Sequence, residues 1–287
     1  MGINVVRGVV DCPKGGEVLL QRETVLQQIQ RKGDYRMSKE KVVRLPMNCS
    51  EVHLKNKKCD FKTLAIMTLY SCFETTEDEP TSAHRYIYRN KIIELTDEIE
   101  ELSQNTIKTI KRNIKKLADL DNALVNVYET DDGKIVYKIN YQLGEFIEND
   151  KGFKEHKNGA FVQIEQSMLK FLIDVGNNNV IKTYVLLQAL CENEERNNGC
   201  KEKWVTREFI AEHIGLSTKC KNNLDLISNI TDMLRDIDFI DKRSVVFRTD
   251  SGQTKTHVYY RIVSYEEWKK RRLEKKEKDT ILLGKAK

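Results

Sequence analysis

The clearest chemical signal in this chain is a twelve-residue run. Thr106-Ile107-Lys108-Thr109-Ile110-Lys111-Arg112-Asn113-Ile114-Lys115-Lys116-Leu117 holds five basic residues and no acid. Ile107, Ile110, Ile114 and Leu117 fall at helical spacing on one face, so Lys108, Lys111, Arg112, Lys115 and Lys116 occupy the rest of the surface. A concentrated positive face of this kind suits phosphates in and beside a DNA major groove. Thr106 stands where an N-cap belongs, and Thr109 and Arg112 are placed to reach base edges. A solvated amphipathic helix is the plain alternative for any Lys-rich stripe.

A second constellation has helix-turn-helix spacing. Thr206 can cap a helix through Ile210-Ala211-Glu212-His213-Ile214, Ala211 permits close helix approach, Gly215 turns the chain, and Ser217 can cap the following helix. His213 inside that helix reads as a packing or surface residue. Before the basic run, Thr96 to Leu102 departs from this pattern, with Glu100 in place of the small Ala and Leu102 one position early. The helix after Ser217 has Leu226, Ile227, Ile230, Met233 and Leu234 on its apolar face, and extra residues near Lys219 to Leu224. Its charges are mixed: Lys219, Lys221 and Arg235 stand against Asp225, Asp232, Asp236 and Asp238. It is the poorer phosphate ligand. Its loop, Thr218 to Asn223, still offers Lys219, Lys221, Asn222 and Asn223 to DNA. A protein-contact or dimerisation role for the second unit as a whole is equally open.

The elements that must position these helices recur along the chain. Phe61-Lys62-Thr63-Leu64-Ala65-Ile66-Met67 reappears 120 positions later as Ile181-Lys182-Thr183-Tyr184-Val185-Leu186-Leu187. Val43–Pro46 matches Val162–Glu165, and Val127–Gly133 matches Val246–Gly252, both at an interval of 119. Tyr137-Lys138-Ile139 matches Tyr260-Arg261-Ile262. Four blocks in one order indicate a duplication, with units near Val42–Tyr141 and Phe161–Ser264. Each unit reads as a short extended stretch, a helix on the Lys-Thr block, a brief strand, two helices, and two strand-like runs joined by Asp-Asp-Gly or Asp-Ser-Gly. Helices closed by a terminal hairpin predict an α+β, mainly α, fold of two tandem winged-helix domains. The expected boundaries are an arm (1–41), a first winged helix (42–150), a second (151–264) and a basic helix or tail (265–287). Gly152 to Gly159, charged and aperiodic, reads as a linker. In the arm, Glu23 to Arg31 suits one short helix. In the tail, Lys269, Lys270, Arg271, Arg272, Lys275, Lys276 and Lys278 suit a solvated helix or frayed end, or nonspecific phosphate contact. Lys134 beside the first hairpin turn, and Arg248 and Lys255 beside the second, complete the candidate DNA contacts.

Composition narrows the classes. The chain has 287 residues, 49 Lys+Arg against 44 Asp+Glu, and a net charge of +5. That total averages a basic first reader, a mixed second helix and a basic tail. With 39% hydrophobic residues and 3 Pro, the chain suits about two globular domains and excludes collagen-like or mucin-like sequence. No apolar run approaches the ~20 residues that cross a bilayer, and Met1 to Leu20 lacks the apolar core of a signal peptide. No membrane contact and a cytoplasmic location are expected. Seven Cys without CxxC spacing read as reduced thiols. Cys49 and Cys59, or Cys191 and Cys200, lack zinc-knuckle spacing and read as buried structural thiols. There is no G-x-x-x-x-G-K-[ST] loop, and the five His are scattered. A non-enzyme is expected, with no catalytic residue, metal or cofactor.

Val42-Val43-Arg44-Leu45-Pro46, the Lys-Thr helix, the helix-turn-helix and the Thr-Asp-Asp-Gly turn together resemble tandem winged-helix replication initiators of plasmids and phages from low-GC bacteria. Each unit is similar to the N-terminal domains of phage replisome organisers. The likeness is one of architecture over Val42 to Ser264. It implies binding to repeated origin sequences, DNA opening and recruitment of the host replicative helicase or its loader. The implied readers are Thr106, Lys108, Thr109, Lys111 and Arg112, with Ser217, Lys219 and Lys221 in the second unit. A winged-helix transcriptional regulator and a winged-helix protein-interaction module are the alternatives. Double-stranded DNA is the expected partner. A homodimer is allowed but not required, because a duplicated unit can cover two half-sites as a monomer.

Overall fold

The computed structural model describes residues 41–46, 54–74, 84–120, 123–139, 146–148, 154–156, 161–248 and 253–285. The expected arm helix, Glu23 to Arg31, lies outside them. The first strand, β1 (Val42–Pro46), alternates as a half-buried strand should: Val43 and Leu45 are fully buried and Val42 is exposed. Helix α1 (Phe61–Tyr70) carries the first Lys-Thr block. Asp60 starts it by accepting from the N–H groups of Lys62 and Thr63. Thr63 to Leu69 are all buried, so α1 is a central helix. The Thr68 hydroxyl is satisfied inside the helix by donating 2.7 Å to the Leu64 carbonyl.

The chain continues through β2 (Cys72–Glu74), β3 (His84–Tyr88), α2 (Arg89–Glu94), α3 (Thr96–Ser103), α4 (Ile107–Ala118), β4 (Val125–Glu129) and β5 (Ile135–Ile139). The four strands form one antiparallel sheet in the order β2-β3-β5-β4. Gly133, at φ +74°, makes the tight turn between β4 and β5. A small pair, β6 (Phe146–Glu148) with β7 (Lys154–His156), follows. Strand β7 falls within the stretch expected to be an irregular linker. Backbone pairing requires no apolar alternation, so Lys-Glu-His carried no strand signal.

The second half follows a related but not identical order, with one helix more before its β-sheet and one strand fewer in it. Strand β8 (Phe161–Glu165) leads through α5 (Gln166–Val175) to α6 (Asn178–Asn198), which carries the second Lys-Thr block and is buried from Val180 to Gln188. Then come β9 (Glu202–Trp204), α7 (Arg207–His213), α8 (Lys221–Asp236), β10 (Ile240–Arg248), β11 (Thr254–Ile262) and α9 (Tyr265–Lys285). The sheet here is β10-β11-β9, again antiparallel. The fold is therefore α+β, with small antiparallel sheets. No helix among the described residues is long and apolar enough to cross a membrane.

The halves are joined by β1 and β8, which pair with each other. Val43 lies opposite Ile164, Arg44 opposite Gln163, and Leu45 opposite Val162. Shifting each residue by 119 positions exchanges the first and last of these pairs and leaves Arg44–Gln163 at the centre. The ladder is thus self-complementary under the interval that relates the sequence blocks, as at a two-fold junction. One contiguous core runs through both halves, from Phe61 and Leu64 to Tyr184, Leu187 and Phe239.

The tail differs from the solvated or frayed helix expected. Trp268 is only 6% exposed, with its ring 5.8 Å from Phe239 and 6.0 Å from Phe171. The Arg272 guanidinium lies 3.9 Å from the Phe171 ring centroid. Arg261 and Arg271 share Asp241 and Glu267, and Lys275 pairs with Asp238. The basic residues of α9 up to Lys275 include anchors that hold this helix to the second half. A charge pattern alone does not reveal acidic partners that lie far away in sequence.

Candidate nucleic-acid interface

Helix α4 is built as an exposed cationic surface on a buried rail. Ile110, Asn113, Ile114 and Leu117 are buried, and Ile107 is half-buried. Asn113 is the unexpected member of that face. Its side-chain amide donates to the Asp60 carboxylate and, at 3.4 Å, to the Thr63 hydroxyl, which ties α4 to the start of α1. The polar residue is tolerated inside because its donors are satisfied.

The first turn of α4 is capped twice. Thr106 is the N-cap, and its hydroxyl accepts from the Thr109 N–H. The Glu100 carboxylate accepts from the Ile107 N–H. The departure at Glu100 therefore does structural work, satisfying one of the orphan donors of the following helix. Gln104, at φ 56°, takes the left-handed position that turns α3 into α4. The corresponding turn after α7 uses Gly215 at φ +83°.

Lys108, Arg112, Lys115 and Lys116 are exposed, and Lys111 is half-exposed. Among the described residues none of these five side chains forms an ion pair or hydrogen bond. Five uncompensated cations on twelve residues of helix leave a field that attracts a polyanion. Thr109 is half-buried, and its hydroxyl lies 3.1 Å from that of Thr106. It helps organise the helix start as well as lying beside the cationic face.

Lys134 sits at the first hairpin turn, where its ammonium pairs with Asp132. Lys134 and the Thr130 hydroxyl hold the Asp132 carboxyl at about 2. The cation is compensated locally, so Lys134 adds little net charge to the surface.

The second half places its candidates differently. Thr206 caps α7 by accepting 3.1 Å from the Phe209 N–H. Ser217 does not cap α8. The N-cap position belongs to Cys220, which makes no side-chain cap bond, and the Ser217 carbonyl instead accepts 2.9 Å from the Asn223 side chain. The extra residues after Ser217 form a turn and delay the helix. Lys221, Asn222 and Asn223 consequently belong to its first turn rather than to a loop, while Lys219 remains exposed in the turn.

Charges along α8 are largely neutralised. Arg235 pairs with Asp232 at 3.1 Å and Asp236 at 2.9 Å, and Lys242 reaches Asp232 at 3.1 Å. Arg248 and Lys255 are exposed at the outer end of the β10–β11 hairpin, opposite Thr254 and Phe247 respectively and so on opposite faces of the sheet. His213 is a packing residue: its ring stacks on Phe209 at 3.7 Å, and its Nδ1 lies 2.8 Å from the Phe209 carbonyl.

Of the thiols read as structural, Cys59 and Cys191 are buried, and burial pushes them up to about 12 and about 11. Cys200 is exposed, which corrects that expectation, and Cys49 lies outside the described residues. Charge and spacing therefore bring Lys108, Lys111, Arg112, Lys115 and Lys116 together on one surface. They leave Lys134, Ser217, Lys219, Lys221, Arg248 and Lys255 dispersed over other elements. The chain matches no known protein-family model, and no curated protein matches it.

Proposed function

We propose that this chain is a sequence-specific double-stranded DNA-binding protein of two tandem winged helices, and that it acts as a plasmid or phage replication initiator. The observation that carries the DNA-binding reading is the bare cationic face of α4, capped at Thr106 and following the turn at Gln104. In this reading α4 is the principal reader. Arg112 and Thr109 face base edges, while Lys108, Lys111, Lys115 and Lys116 contact phosphates.

The mixed charges of α8 make the second half the weaker duplex contact. The assignment to initiation follows the architectural resemblance to tandem winged-helix initiators. It brings with it the host replicative helicase or its loader as a partner.

The test is duplex affinity measured at several salt concentrations with origin-proximal DNA. Four phosphate contacts give a log–log slope of about −3.6. A salt-independent affinity, or none for any duplex, overturns DNA binding. Iterated repeats beside the gene, bound in preference to a single promoter operator, separate initiation from regulation.

A further inference from the structure

The sheet of the second half carries a row of rings on the face turned away from the core. Register places Trp204 opposite Tyr259, Val245 opposite His257, and Phe247 opposite Lys255. Side chains alternate along a strand, so these residues share one face, whereas Ile240 and Tyr260 point into the core. Trp204 and His257 stack at 4.1 Å with planes 25° apart. Phe247 meets His257 edge-on at 4.3 Å. Arg243 lies 4.8 Å over the Tyr259 ring.

Trp204 remains 43% exposed and, with Leu190, Val205 and Phe209, lines a cavity of about 270 Å3 that Lys203 and Thr206 border. This is below the ~300 Å3 at which sites for drug-sized ligands begin, and suits one planar ring.

Charge selects the occupant. Among the described residues on this face of the sheet the carboxylates are Asp241, held by Arg261 and Arg271, and Glu202, held by Arg243, both toward the base of the hairpin. At the outer end Lys255, opposite Phe247, is exposed on the ring face, and its side chain pairs with no described residue. An exposed Trp204 among half-buried rings, beside the bare Lys255, matches a strand with phosphates and open bases. A duplex offers base edges in its grooves, but its base faces are already stacked on one another.

We propose that the Trp204–His257–Phe247 face, with Lys255, binds an unpaired DNA strand by stacking bases on its rings, and that the cavity beside Trp204 takes one base. The choice of DNA over RNA rests on the duplex-binding reading above; the stacking does not. The α4 surface and this face lie in different halves, so each can be removed without the other.

The test titrates the full-length protein with labelled oligo(dT), oligo(rU) and a duplex. Oligo(dT) is expected to bind and to quench the Trp204 emission over the constant background of buried Trp268. Trp204→Ala with Phe247→Ala should weaken oligo(dT) by roughly 10-fold or more, with duplex affinity unchanged. Trp204→Phe, which keeps a ring, should retain most of it. Lys111→Ala with Arg112→Ala should do the reverse, sparing oligo(dT) and weakening the duplex. An absence of oligo(dT) binding, or equal oligo(dT) affinity in the ring-deleted variant, overturns the proposal. Tighter binding of oligo(rU) overturns the assignment to DNA. Loss of duplex binding alone counts against the duplex reading and leaves this one standing.

Discussion

Lys62 and Lys182 make reciprocal contacts across the junction of the two halves. The Lys62 ammonium donates 2.9 Å to the carbonyl of Gly176, and the Lys182 ammonium donates 2.9 Å to the carbonyl of Asn56. The two lysines are 120 positions apart, and so are the two acceptors. Lys182 also reaches the Leu54 carbonyl at 2.9 Å. Burial lowers the pKa of both ammonium groups, and the carbonyl acceptors replace the water each has lost. The block that marks the repeat in sequence is thus also a contact by which one half holds the other.

Lys182 is 1% exposed, and its acceptor residue Leu54 is also buried. Lys182→Met should strip the Leu54 carbonyl of this donor, leave the Asn56 carbonyl with the 3.1 Å bond from the Cys59 N–H alone, and destabilise the fold by about 1–3 kcal/mol. Lys62→Met removes one bond from a less buried position and should destabilise by less. Urea unfolding midpoints measure both, and an unchanged midpoint for Lys182→Met contradicts this account of the junction.

Gly215 is required twice. Its φ of +83° is strained for a residue with a Cβ, and a Cβ there would lie 2.1 Å from the Lys55 carbonyl oxygen. Gly215→Ala should therefore destabilise by about 2–4 kcal/mol through backbone strain and overpacking. Thermal unfolding at fixed pH checks this; a loss within ~0.5 kcal/mol, typical of surface substitutions, contradicts it.

Docking of α9 should be acid-sensitive. Hydrogen bonds from Arg271 lower the Asp241 carboxyl, and those from Arg261 lower Glu267. Carboxyls depressed in the folded state contribute stability above their unfolded values, near 4, and that contribution is lost as pH falls through the folded values. Arg271→Gln should be less stable than wild type at pH 7, and the gap should narrow below about pH 4. Stability of the two proteins measured across this range, followed through Trp268 emission, reports it. A gap independent of pH contradicts the ion-pair account.

Thiol reactivity should divide by burial. Cys200 and Cys220 are exposed, whereas Cys59 and Cys191 are buried with thiols held up by desolvation. Alkylation of the native protein at neutral pH, assigned by mass spectrometry, should modify Cys200 and Cys220 well before Cys59 and Cys191. Comparable rates at all four sites contradict the packing around Cys59 and Cys191.

Local signals were readable in the residues and distant partnerships were not. The caps at Thr106 and Thr206, the turn at Gly215, and the apolar rail at Ile110, Ile114 and Leu117 all follow from spacing within one or two helical turns. The cap expected at Ser217 failed because a turn inserted after it moved the helix start to Lys221. The burial of Asn113 has no local signal, because its acceptors, Asp60 and Thr63, lie some fifty residues upstream. Arg271 and Lys275 looked solvated for the same reason, their carboxylates being on β10 and the turn before it. The ring row at Trp204, His257 and Phe247 needed strand register to assemble it, since no two of these residues are near neighbours in sequence.

The most direct test of the central claim is the salt dependence of duplex affinity for wild type, for Lys111→Ala with Arg112→Ala, and for Lys219→Ala with Lys221→Ala. If α4 is the principal reader, the first variant should bind several-fold or more weakly, with a log–log slope shallower by about 1, because Lys111 is its phosphate contact and Arg112 its base contact. The second variant should change less in both respects. Equal affinities and slopes for wild type and the α4 variant would contradict the account.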